Sequence, residues 1–134
     1  MEIEICSDKT LKSFPNLREE LESAFALSGL IADELTIRIL CGEFLDPYYD
    51  WVIWKLDPRG LRLGRCVARY RPPGIIEIDI ALGRCKPRLQ TVIRYLFHEL
   101  GHHKSYIEQS GMSEKKAESF AGAMMKRWRA QRVI

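Results

Sequence analysis

The chain has 134 residues, of which 46% are hydrophobic and 29% charged, and its net charge is +3. That length suits a single domain over residues 1–134, with a core large enough to fold without staples. No apolar run approaches the ~18–20 residues that cross a bilayer, which excludes a membrane-spanning helix.

The N-terminal Met1–Cys6 stretch carries neither the basic head nor the apolar run of a secretory signal, so a cytoplasmic protein is expected. Cys6, Cys41, Cys66 and Cys85 never form a Cys-x-x-Cys pair, which argues against a structural zinc knuckle. Reduced thiols are expected, three of them in or beside apolar strands where cysteine behaves as a small buried hydrophobe. An even count leaves disulfides open.

Glu2 to Cys6 alternate polar and apolar, the pattern of a short strand. Ser13 and Pro15 then open a helix whose apolar stripe is Leu17, Leu21, Ala24 and Phe25, with Gly29 at its end. Leu35, Ile37, Ile39 and Cys41 alternate with Thr36, Arg38 and Leu40, a half-buried strand. Residues 43–64 read as a long loop with a strand around Trp51 to Lys55. It holds Phe44, Tyr48, Tyr49, Trp51 and Trp54 between two Asp-Pro steps. Cys66 to Arg71 and Ile75 to Leu82 form a hairpin about Pro72-Pro73-Gly74. In it Ile76, Ile78 and Ile80 face one way, and Glu77 and Asp79 face the other, towards Arg69 and Arg71.

Pro87 starts a helix with apolar positions Leu89, Val92, Ile93, Leu96, Phe97 and Leu100. Gly111 interrupts it, and Ser113 caps a last helix carrying Ala117, Phe120, Ala121, Met124 and Trp128. Strands gathered ahead of two terminal helices predict an α+β domain: an N-terminal helix, a three- to four-stranded sheet, and two C-terminal helices.

Chemistry concentrates in His98-Glu99-Leu100-Gly101-His102. Residues four apart stand one turn above each other on a helix, so two imidazoles can reach one Zn²⁺ at ~2.0–2.1 Å. Glu99 lies about 100° round the helix, poor as a ligand but placed to take a proton as general base. Gly101 lets another backbone approach. The chain has three histidines in all, and two occupy these positions. A catalytic zinc needs one more protein ligand. Glu108 lies in the connection, whereas Glu114 and Glu118 share a face of the last helix. Glu114, nearest its N-terminal end, is the expected third ligand.

His98-Glu-Leu-Gly-His102 followed by Glu114-Lys-Lys-Ala117-Glu118-Ser-Phe120-Ala121 resembles the gluzincin pattern His-Glu-x-x-His…Glu-x-x-Ala-[Asp/Asn]-x-Phe-Ala. Among gluzincins it is most similar to the compact ImmA/IrrE-type metallopeptidases and the minigluzincins, over roughly residues 88–125. The resemblance implies a small zincin-like fold and a zinc metallopeptidase. It makes Glu114 the third ligand and Glu118 a group that hydrogen-bonds a ligand histidine. Glu118 stands where the pattern has Asp or Asn, and its longer side chain could compete as the ligand.

Candidates for stabilising an oxyanion are Tyr106, one turn past His102, a tyrosine of the 43–64 loop, and His103, whose simpler reading is a surface histidine. An extended peptide substrate would pair with an edge of the sheet, expected at Ile75–Leu82, beside aromatics walling a side-chain pocket. The long loop would also serve to close the cleft in a latent form. A monomer without membrane association is expected, acting as an endopeptidase more than an exopeptidase. Two rival readings stand beside it. One is a catalytically silent zincin-fold module that grips a peptide. The other is an SprT-like DNA-associated protease using the basic run Lys126-Arg127-Trp128-Arg129 with Arg132 to contact nucleic acid.

Overall fold

A computed structural model describes residues 1–6, 8–30, 34–41, 65–81 and 87–132. The element order is β1 (Glu2–Ile5), α1 (Asp8–Ser13), α2 (Leu17–Ser28), β2 (Thr36–Leu40), β3 (Arg65–Arg71), β4 (Ile75–Ala81), α3 (Leu89–Ile107) and α4 (Glu114–Arg132). This is an α+β domain with a four-stranded sheet in the order β1-β2-β4-β3. Strands β1, β2 and β4 run parallel, and β3 returns antiparallel along β4. No helix among the described residues is long and apolar enough to cross a membrane.

One face of the sheet makes the core. Ile37, Ile39, Ile76, Ile78 and Ile80 are fully buried there, against Leu17, Leu21 and Phe25 of α2 and Val92, Ile93, Leu96, Phe97 and Leu100 of α3. The two-residue period of the strands and the three- and four-residue steps of the helices therefore meet as expected. Helix α2 ends at Gly29 with φ +73°. Ser13 closes the short α1 instead of opening α2. At six residues, α1 is too short to display an apolar stripe.

Strand β4 is not the sheet edge that the sequence suggested. It lies between β2 and β3, so the outer strands among the described residues are β1 and β3. Both faces of β4 are buried, since Glu77 is 2% and Asp79 1% exposed, and burial on both faces marks a central strand. Glu77 receives Arg69 at 2.8 Å and Arg71 at 3.3 Å from β3, as the hairpin register required. Arg38 of β2 adds a third contact at 3.3 Å and also reaches Glu4 at 3.2 Å. Burial pushes the Glu77 carboxyl up, but hydrogen bonds and charge from Arg69 and Arg71 outweigh it and hold the group low.

The cysteines divide. Cys66 is a buried thiol, pushed up to about 12 by burial and by the charge of Asp79. Cys6 and Cys41 are exposed; β1 ends at Ile5 and β2 at Leu40, so each lies one residue past its strand. Cys85 and the 43–64 segment, with its expected strand, aromatic wall and closing role, lie outside the described residues.

The Glu77 cluster generates a prediction. Glu77→Ala leaves three arginines around a buried void, and with those arginines partly solvated the loss should be about 2 kcal/mol. Because the folded carboxyl is held low, its contribution is full at neutral pH and disappears as pH falls through the lowered value. Urea titrations across the acid range should show that loss in the wild type and a flatter acid limb in Glu77→Gln.

Candidate metal centre

Helix α3 presents His98 and His102 one turn apart, with ring centroids separated by 4.9 Å. Opposite them stands Glu114, the first residue of α4. Its Oε2 lies 2.9 Å from Nε2 of His98 and its Oε1 lies 3.0 Å from Nε2 of His102. The three donor atoms lie within 4.8 Å of one another. The local sequence explains how Glu114 arrives there. Ser113 caps α4, its Oγ accepting the Lys116 N–H at 3.1 Å. Ala117 then meets α3 at Gly101, where an added Cβ would fall 2.9 Å from the Ala117 Cα and 3.3 Å from the Phe120 Cβ. Only glycine permits that approach.

Glu118, one turn beyond Glu114, does not compete for the same point. Its Oε1 lies 2.6 Å from Nδ1 of His98, and Arg94 donates to its Oε2 at 2.9 Å. The hydrogen bond from His98 and then that from Arg94 hold the Glu118 carboxyl below its ordinary range. A ring donating Nδ1–H to a carboxylate has its other nitrogen available as a lone pair, the tautomer a metal requires.

These donors fit a zinc ion. Ligands at ~2.0–2.1 Å in a tetrahedron stand about 3.3 Å apart, close to the 2.9 and 3.0 Å between the imidazole nitrogens and Glu114. Two neutral imidazoles with one carboxylate is a donor set suited to Zn²⁺. Nδ1 of His102 is buried without a partner among the described residues.

Glu99 is buried on the flank of this group, and its carboxyl is raised to about 7. Burial is the main cause. The charge of His98 opposes it and that of Glu114 adds to it. Glu108 caps the end of α3 and pairs with Lys104 at 3.1 Å, clear of the ligand role.

His103 is not a surface residue. It is 3% exposed, and its Nδ1 lies 2.7 Å from the hydroxyl of Tyr70, which donates to Pro73 O at 2.9 Å. Nδ1–H is therefore the donor to Tyr70, and burial lowers the His103 pKa. Tyr106 is exposed on the last turns of α3, its ring edge-on to Tyr70 at 6.3 Å. Tyr70 was missed in the sequence. Its inward position follows from the alternation Cys66, Ala68, Tyr70 on β3, but its partner sits on another element. It ties the β3 hairpin to the helix that bears the histidines.

The contact at Gly101 is testable. Gly101→Ala gains up to ~1 kcal/mol of helix propensity but forces α3 and α4 apart, at about 1–3 kcal/mol. Gly101→Val, bulkier and β-branched, should lower the melting temperature and weaken zinc binding together, measured by calorimetry and by competition with a chromophoric chelator. Unchanged zinc affinity in Gly101→Val would show that the helix approach does not set the site.

Comparison of the chain with protein-family models, with curated proteins and with solved structures finds no match.

Proposed function

We propose that this protein is a zinc-dependent peptidase, with the ion held by His98, His102 and Glu114. The observation that carries the reading is the meeting of two imidazole nitrogens and one carboxylate at a common point, with Glu118 fixing the tautomer of His98 from behind. A bare pair of helical histidines would need neither partner.

Zinc, when bound, supplies a Lewis acid that lowers the pKa of a coordinated water to ~7 and polarises a substrate carbonyl. The chain's own groups do the rest. Glu99, buried and poised near neutrality, takes a proton from the attacking water and returns it to the departing amine. Glu118 and Arg94 keep the His98 ring from turning. Strand β3, an outer strand among the described residues and joined to α3 through Tyr70 and His103, is the edge on which an extended peptide would pair. Such an edge accepts the middle of a chain as readily as its end, which favours endopeptidase action.

The reading predicts that purified wild type carries stoichiometric zinc and cleaves unfolded polypeptide. Glu99→Gln should keep the zinc and lose about 10²–10⁴-fold in rate. His98→Ala, His102→Ala and Glu114→Ala should each lose the metal, and elemental analysis beside a casein-cleavage assay measures all of these. Zinc retained in the wild type and in Glu99→Gln with no cleavage by either would convert the site to a peptide-gripping module. Zinc retained at full affinity by Glu114→Ala would overturn the ligand assignment.

A further inference from the structure

Helix α4 carries a second surface that the metal centre does not use. Lys115, Lys116, Lys126, Arg127 and Arg129 are all exposed on it. At ~100° per residue these five fall within an arc of about 160°. The opposite side holds the buried Ala117, Ala121, Met124, Met125 and Trp128. Between the cations the same arc contains only Ser119, Gly122, Ala123 and Ala130. Nothing bulky would hold a partner away from the helix.

Among the described residues the charge on this face is uncompensated. Among the described residues none of the five meets a carboxylate, and Lys116 donates to the carbonyl of Ser110 at 2.6 Å. The helix's own acids, Glu114 and Glu118, are engaged with the histidines. From Lys115 to Arg129 the row extends about 21 Å along the axis, at ~1.5 Å per residue. At its N-terminal end it opens into a groove of about 440 Å³ that Lys104, Lys115, Lys116 and Ser119 help to line, with Glu108 held by Lys104.

We infer that this face binds the phosphate backbone of double-stranded DNA, independently of sequence. Cations at both ends of one side of a single helix suit a duplex, which presents one phosphate charge per ~1.7 Å of its axis. Phosphate contacts position a duplex without reading it. A bilayer fits poorly, because Met124, Met125 and Trp128 of α4 are buried in the core and Phe120 alone of its large apolar side chains is half-exposed. A single strand fits poorly too, since its bases need exposed rings to stack on, and Trp128 is buried and Phe120 half-buried.

The test uses the full chain and a labelled duplex of mixed sequence, about 20 bp long, followed by fluorescence anisotropy. Binding should be measurable at about 50 mM salt and weaken on the order of several hundredfold by about 200 mM, as five neutralised phosphates require. Changing Lys115→Gln, Lys126→Gln and Arg129→Gln together should reduce affinity at least ~10-fold at low salt and flatten the salt slope by about 3. Circular dichroism melting should show the triple variant folded as the wild type. Three results would overturn the inference: no duplex binding at low salt, undiminished binding by the triple variant, or tighter binding to a single strand, polyglutamate or phosphatidylserine vesicles than to the duplex. None of these measurements needs metal or hydrolysis, so their failure leaves the peptidase reading untouched.

Discussion

Gly101 and Ala117 bring the backbones of α3 and α4 closer than any pair of larger side chains would allow, and the candidate metal centre depends on that contact. Two histidines on one helix define a line of donors, not a point. A point appears only when a carboxylate comes from a second element at a fixed distance. Ser113 sets where α4 begins, and Gly101 sets how near it passes. The first turn of α4 then delivers Glu114 to both rings and Glu118 to the back of one. Further along the same helix Met124, Met125 and Trp128 are buried in the core, which keeps the angle between the helices from drifting.

The sheet serves this centre by holding α3 level. Its isoleucines give α3 a flat apolar bed on one face. Its other face is organised round Glu77, whose arginines come from β2 and β3 and so join three strands at one carboxylate. Where β3 leaves the sheet at the hairpin, the Tyr70 hydroxyl links the turn to His103. Beside His102 of the candidate centre there is thus a histidine whose work is mechanical: it fastens β3 to α3.

Much of this was legible in the residues alone, and what was not has a common cause. The hairpin about Pro72-Pro73-Gly74, the stripes of α2 and α3, the Ser113 cap and the register of Arg69 against Glu77 are local patterns, and each lies where the periodicity puts it. The spacing of His98 and His102, and the choice of Glu114 over Glu108, also needed only helix geometry. The central place of β4 was hidden because its neighbour β2 pairs from far along the chain. His103 looked like a surface residue because its burial comes from Tyr70 on β3. The role of Glu118 came through resemblance to a motif, and helical spacing alone left it interchangeable with Glu114.

The position of Glu114 on the helix that follows α3 also fixes an order in time. A chain made from its N-terminus exposes the sheet strands and both histidines before the last helix exists. Until α4 has been synthesised and has docked, the two imidazoles have no carboxylate opposite them, and no ion would be gripped from three sides. The candidate centre is therefore an assembly of two elements, complete only when the later of them has docked.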